Sequence, residues 1–538
     1  MVRWEWLSLA VIMILGAALR VQFLLSAPGF FYDEAIYALD GLSLVRGGSW
    51  PLFFSTYGHM REPLFIYLLG LTHLFFEPSV LAARGTATFV GLLTIPVVFL
   101  LGREWRGPAA GIAAAALFAL MRWHVHFSGL CFRTITSPLM AALVALFFLR
   151  FVRTASRRDA IGLGVSLGIG LYSYLSFRLF PIILIPPALI ALCSVRGEER
   201  RVRLRGFLLA AGVSAVVFAP LGIHFLRNPD HFRGRSDEVT FFNREGAGQL
   251  LLQQARDVAL MPLFRGDHVG KHNLPGPPRF SQLVDSDPAR VAEEWSLARS
   301  VAQATGTPVP DPHGSGVPAL PLSFGLAFYG GFLLLAIRVH RDPAAMLLLS
   351  WLLVGSLASV LSFGAPNMLR MLFLTPAVVM VIVECGFAFQ RMLTRVAPAK
   401  FAAGGLALLI VTGATQDALR ASRWAHHPMV PIEFNADLAA LGSFLSAQPD
   451  RLPVILPESM GLATHPTLIY VADGYRFIDR IPDGEAAWWR FEPLIGVLPP
   501  PQPKTATEGP GNFTVPHPAG FNLGILQEYK QPPTGSSP

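Results

Sequence analysis

Phe30-Phe31-Tyr32-Asp33-Glu34 sets two adjacent carboxylates at the edge of an apolar stretch. Carboxylates are costly to desolvate at a membrane boundary, so this pair is expected to be ion-paired, metal-bound or catalytic. A plainer role competes, in which Asp33 begins a helix over 34–46 with Glu34 in its first turn. A second motif, His59-Met60-Arg61-Glu62-Pro63-Leu64, adds a third carboxylate in Glu62, a candidate ligand in His59 and a phosphate partner in Arg61. Pro63 suits a helix start, and taken alone this motif reads as a capped helix with a solvated charged turn. Arginines stand at span edges on the same side of the chain: Arg20, Arg84, Arg133, Arg178 and Arg370. Any one of them would snorkel to water; together with the carboxylates they suit a lipid-linked phosphate. His124 and His126 flank this surface, but their i,i+2 spacing fits interfacial packing better than metal binding.

The elements that must carry these residues are membrane helices. Of 538 residues 52% are hydrophobic and only 14% charged, too few to cover a water-facing surface of this size. Apolar runs place a first span at Leu7–Leu25 and others near 84–102, 109–121, 136–152, 160–177, 179–195, 206–226, 321–338, 344–362, 369–390 and 400–415, about eleven in all. The short 109–121 run is expected to continue into Trp123–Phe127. Putting Arg3 inside and alternating gathers almost every basic cluster on one side, including Arg103 and Arg106, Arg150 to Arg158, Arg196 to Arg205, and Arg391 to Lys400. The formal charge of +8 is therefore topological. Three scattered cysteines make neither a disulfide framework nor a CxxC metal site.

That alternation places 26–83, 227–320 and the region after 415 outside. Within 26–83, residues 34–46 and 64–76 read as helices lying at the interface. The 227–320 loop holds ten Lys/Arg against eleven Asp/Glu, so it is no nucleic-acid surface. Beyond the spans, 416–500 reads as a small α/β domain, with a helix near 436–447 and strands at 453–456 and 467–472. The Pro-rich 501–538 tail reads as disordered.

These residues resemble the GT-C glycosyltransferases, and among them the bacterial family 39 group related to protein O-mannosyltransferases and to the aminoarabinose transferases of lipid A. The resemblance rests on the Asp33-Glu34 pair after a first span and on the Glu62-Pro63 motif. Three further stretches join them: Gly170-Leu171-Tyr172-Ser173-Tyr174-Leu175-Ser176-Phe177-Arg178, Gly266-Asp267-His268 running to Lys271-His272-Asn273-Leu274-Pro275-Gly276, and Ala365-Pro366-Asn367-Met368-Leu369-Arg370. It spans roughly residues 1–390 and implies a GT-C membrane domain over 1–415, acting in the cell membrane. By resemblance, Asp33 is the catalytic base and Glu34 its companion. Glu62, Arg61, His59, Arg133, Arg178, His272 and Arg370 are candidates for a donor-phosphate or metal site, a divalent ion being held at Glu34 and Glu62. One departure bears on that metal: Thr134-Ile135-Thr136-Ser137-Pro138 follows Arg133 where some members carry an Asp. Residues 281–317 read as an insertion.

The same reaction class follows from the residues. Carboxylates outside the cytoplasm lie where nucleotide sugars are not supplied, so the sugar must arrive on a polyprenyl phosphate. An acceptor hydroxyl on a protein, lipid or glycan needs a base, and the departing phosphate needs cations or a metal. Direct attack inverts the anomeric carbon. The competing reading is a transporter or flippase of a lipid-linked glycan, which would show paired halves and polar groups at the midplane; here the polar residues gather at one face.

Overall fold

The computed structural model describes residues 3–241, 246–267, 269–274, 316–395, 399–425, 430–431, 434–448, 453–456, 464–478, 487–493, 512–516 and 522–530. The expected 281–317 insertion lies almost wholly outside them.

Helix α1 (Arg3–Ser26) is followed by α2 (Tyr32–Gly47), a hairpin of β1 (Phe54–Thr56) and β2 (His59–Arg61), and α3 (Leu64–His73). His59 thus lies on a strand, and Pro63 is the N-cap of α3, the helix start expected of the motif. The body continues with α4 (Val80–Arg106), α5 (Pro108–Leu120), α6 (Arg122–Ser128), α7 (Thr136–Thr154), α8 (Arg157–Gly170), α9 (Phe180–Cys193), α10 (Gly197–Arg227), α11 (Pro229–Val239) and α12 (Ala247–Leu260). After the undescribed stretch come α13 (Leu322–Arg338), α14 (Pro343–Val360), α15 (Thr375–Leu393) and α16 (Ala399–Ala425). Among the described residues, seven helices are long and apolar enough to cross a bilayer, and an eighth span results if the bent pair α5–α6 is counted as one. The figure of about eleven is therefore not reached by length and composition. One reason is local: the expected 160–177 span stops at Gly170, where a Cβ would meet the Phe177 ring at 2.1 Å. The 14 residues of α8 rise about 21 Å, short of the ~30 Å hydrocarbon layer.

The α5–α6 bend of 58° explains two charges buried in the body. Met121 is extended at the break, which frees backbone groups from the helical ladder. Arg20 donates to the Ala119 carbonyl at 2.9 Å and to His124 at 3.0 Å, while Asp417 accepts the Arg122 amide at 2.9 Å. Arg20 and His124 serve the break and take no part in a phosphate site.

At the end bearing the arginine-rich connections, Glu384 of α15 accepts from Trp105 at 3.0 Å, Arg106 at 3.0 Å and Arg338 at 2.7 Å. Glu5 and Glu104 pair with Arg103 and with Arg150 and Arg153. These pairs pin helices together where the positive connections crowd.

At the opposite end sits the C-terminal region, with α17 (Ala436–Ser446), β3 (Val454–Ile455), α18 (Pro466–Val471), β4 (Phe477–Ile478), β5 (Ala487–Pro493), β6 (Asn512–Pro516) and β7 (Asn522–Lys530). The strands form one sheet in the order β4-β3-β5-β7-β6, with β3 parallel to β4 and β5, and β7 antiparallel to β5 and β6. Two expectations change here. The apolar run 467–472 is mostly helix, because Pro466 favours a first helical turn and the His465 side chain caps it. The tail expected to be disordered supplies β6 and β7, so this domain extends past residue 500 to at least Lys530.

Candidate active site

The chain reaches Asp33 through a tight turn. Gly29 has φ +55°, and a Cβ there would lie 2.2 Å from the Phe434 carbonyl, so only glycine fits. Phe31 is the N-cap of α2, Tyr32 and Asp33 open its first turn, and Glu34 reaches back to accept the Phe31 amide at 3.0 Å. Helix initiation is therefore the work of Glu34, and Asp33 is not the cap.

The two neighbours differ completely in their surroundings. Glu34 is fully buried. Its oxygens accept from Arg84 twice at 2.9 Å and from the Cys131 amide at 2.7 Å, and Arg84 also bonds the Ala27 and Gly29 carbonyls. The expected catalytic part for Glu34 gives way to a structural one: it ties α2, α4 and the turn after α6 together. Asp33 is half-buried, and no hydrogen bond or ion pair engages its carboxylate among the described residues. One helical turn on, Tyr37 feels its charge, although burial is the larger cause that pushes the Tyr37 hydroxyl up.

The hairpin's charges are likewise committed. Arg61 is buried on Asp40 at 2.9 Å and on the Thr56 carbonyl at 3.0 Å. Burial raises the Asp40 carboxyl above its ordinary value, against the pull of Arg61. Glu62 is held between Arg133 and Arg178, the latter at 3.1 Å. Burial alone would raise Glu62, but the two guanidiniums outweigh it and hold its carboxyl below the usual range. Arg133 lies over the Tyr174 ring at 4.8 Å, and Arg178 lies over Phe232 at 4.5 Å while donating to that residue's carbonyl. Arg61, Arg133 and Arg178 were candidates for donor phosphate; each instead has a protein carboxylate as its partner.

A metal ion at Glu34 and Glu62 does not fit. All four of their oxygens already face guanidinium groups, and among the described residues no group of three His, Cys, Asp or Glu is placed to hold a metal. The His59 ring lies edge-on to Tyr32 at 6.4 Å.

The 266–273 motif supplies what motif reading undervalued. Asp267 accepts from the Val269 amide at 3.0 Å, His272 at 2.8 Å and the Met368 amide at 2.7 Å. Asn273 donates to the Asp267 and Val317 carbonyls, both at 2.8 Å. His272 is buried in this net through Nδ1, desolvation lowers its pKa despite Asp267, and its Nε2 has no hydrogen-bond partner among the described residues. The loop presents Lys271. Its ammonium lies 4.0 Å from the centre of the Phe31 ring, two residues from Asp33, with no carboxylate partner among the described residues. His126 braces the loop through the Lys271 carbonyl at 2.9 Å. Arg370, half-buried, bonds Ser362 at 2.5 Å and the Phe363 carbonyl at 2.7 Å, and its charge reaches His272.

Residues 60–224 match the profile of the dolichyl-phosphate-mannose-protein mannosyltransferase family. No curated protein matches by sequence. In structure the chain is similar to ArnT from Cupriavidus metallidurans bound to undecaprenyl phosphate, with a TM-score of 0.51 and 14% identity over 97% of this chain and 98% of that one. It is also similar to the archaeal oligosaccharyltransferase AglB from Archaeoglobus fulgidus in complex with an inhibitory peptide and a dolichol-phosphate: TM-score 0.50, 15% identity, 87% of this chain and 64% of that one. The Archaeoglobus fulgidus oligosaccharyltransferase complex with Zn and sulfate matches at a TM-score of 0.50 and 14% identity, over 87% of this chain and 62% of that one. The chain thus has the polytopic helical fold of GT-C membrane glycosyltransferases.

Proposed function

We propose that the protein is an integral membrane glycosyltransferase that moves a sugar from a polyprenyl-phosphate donor to an acceptor hydroxyl on the extracytoplasmic face of the cell membrane, its N-terminus being cytoplasmic. One observation carries the reading: at the end of the body opposite the basic connections, the Asp33 carboxylate has no hydrogen-bond or ion-pair partner among the described residues, and the Lys271 ammonium, without a carboxylate partner among them, lies 4.0 Å from the centre of the Phe31 ring, two residues before Asp33 in the chain. Both lipid-phosphate complexes named above share this fold.

In this reading Asp33 accepts the proton of the acceptor hydroxyl as its oxygen attacks the anomeric carbon. The bond from that carbon to the phosphate oxygen breaks, and the electron pair leaves with the lipid phosphate. Lys271 and Arg370 balance the charge that grows on this phosphate. Attack from the side opposite the leaving group inverts the anomeric configuration. Glu34–Arg84 and Glu62–Arg133–Arg178 hold the walls, the first fixing the start of α2 and the second joining the hairpin to α7 and to the turn before α9. No metal is needed to neutralise the phosphate where lysine and arginine stand.

The test offers membranes containing the protein a series of labelled polyprenyl-phosphate sugars and follows label into acceptor. Transfer that requires Asp33 supports the reading; label that crosses the membrane still attached to its lipid, with no transfer, overturns it in favour of a flippase.

A further inference from the structure

The C-terminal domain is built into the wall around Asp33. The Phe30 amide donates to the Phe434 carbonyl at 2.7 Å, and the Thr467 hydroxyl donates to the Phe30 carbonyl at 3.0 Å. Phe30 stacks on Tyr470 at 5.3 Å. These contacts seat the first turn of α18 against the first turn of α2, and they bring the His465 ring edge-on to Tyr32 at 5.3 Å.

The cap on α18 decides where the proton sits on His465. Its Nδ1 accepts the Thr467 amide at 3.3 Å, so in the neutral ring the hydrogen lies on Nε2. Burial lowers the His465 pKa, with Asp437 opposing, and so favours that neutral form. Nε2–H has no partner among the described residues and is not enclosed; the Tyr32 hydroxyl is equally unengaged, and Asp33 follows Tyr32 in the chain. Two donors therefore stand at the start of α2, the turn that also carries Asp33.

Building on the transferase reading, the geometry points to His465 and Tyr32 as acceptor-binding residues that select an acceptor with neighbouring hydroxyls, that is, a sugar. The reacting hydroxyl donates to Asp33, and an adjacent hydroxyl oxygen accepts from Nε2–H or from the Tyr32 hydroxyl. An isolated hydroxyl, as on a serine side chain, would leave at least one of these donors without a partner.

The experiment measures transfer from the labelled donor series to soluble methyl glycosides, to their singly deoxygenated analogues and to a serine/threonine peptide. His465→Asn keeps a capping side chain for α18 but removes Nε2–H, and Tyr32→Phe removes only the hydroxyl. Each should raise the glycoside KM about 3- to 10-fold, the scale of one neutral hydrogen bond, with donor KM and thermal midpoint unchanged. In His465→Asn the wild-type preference for the intact glycoside over one deoxy analogue should vanish. Unchanged glycoside KM in both variants, or wild-type transfer to the peptide and to no glycoside, would overturn the inference and leave the transferase reading standing. No transfer from any donor to any acceptor would take both down.

Discussion

The two ends of the helical body each bury a carboxylate among arginines. At the basic end Glu384 is ringed by Trp105, Arg106, Arg338 and Arg391; at the other, Glu62 is gripped by Arg133 and Arg178. By charge density alone both look like sites. They differ in their carboxylates: at the basic end Glu384 is shared by Arg106, Arg338 and Arg391, whereas at the other end, among the described residues, Asp33 has no hydrogen-bond or ion-pair partner and Lys271 no carboxylate partner. The lesson is that a buried ion pair marks where a fold is fastened, while a charge left open beside fastened ones marks where a ligand is expected.

The sharpest way to break this contrast is Asp33→Asn. Because Glu34 makes the helix cap, protein yield should hold while turnover falls roughly 10²–10⁴-fold, the range for losing acid–base catalysis; turnover per amount of protein measures it. A fall of this size from Glu384→Gln, normalised the same way, would erase the distinction between the two ends.

Lys271→Met comes next. Losing a hydrogen bond to a charged group is worth about 1.5–3 kcal/mol, so donor KM should rise about 10- to 100-fold, read from initial rates over a donor titration. Arg178→Lys should change donor KM less than about 3-fold, because Arg178 is spent on Glu62 and on the Phe232 carbonyl. It should instead lower the thermal midpoint, since one ammonium cannot replace the planar fork. A donor KM that climbs more for Arg178→Lys than for Lys271→Met would return the phosphate to the Glu62 cluster.

The smallest effect is in acid. Glu62 titrates below its ordinary range in the folded protein, so the unfolded chain takes up this proton first as pH falls. Its contribution to stability is complete above the usual carboxylate range and is lost as pH drops through that range towards the lower folded value. Thermal midpoints in detergent between pH 7 and 4 should therefore fall less steeply in Glu62→Gln than in the wild type. Parallel curves would detach Glu62 from acid stability.

Hydropathy made the membrane body readable, and the order of motifs located the candidate site near Asp33. Pairing was not readable, because it is made across the chain: Glu34 with Arg84, Glu62 with Arg178 and Arg61 with Asp40 are 50, 116 and 21 residues apart. A list of arginines at one face cannot say which are already answered. Within the 266–273 motif imidazole is the commoner ligand type, so spacing alone favours His272 over Lys271; that Asp267 holds the His272 Nδ1 is visible only in the structure. In the C-terminal domain the run 467–472 is short and apolar, where strand and helix patterns coincide, and Pro466 was the unused clue.

The clasp between Phe30 and Thr467 joins residues 437 positions apart. At about 5–20 residues per second of synthesis, roughly 20–90 s separate the emergence of the two. During that interval the spans can insert and pack, but the turn that presents Asp33 lacks its second wall. A nascent chain held at its ribosome would have Lys271 and most of its helices and still lack this wall. Completion of the turn around Asp33 is in this sense a late event in the life of each molecule, set by the clock of translation.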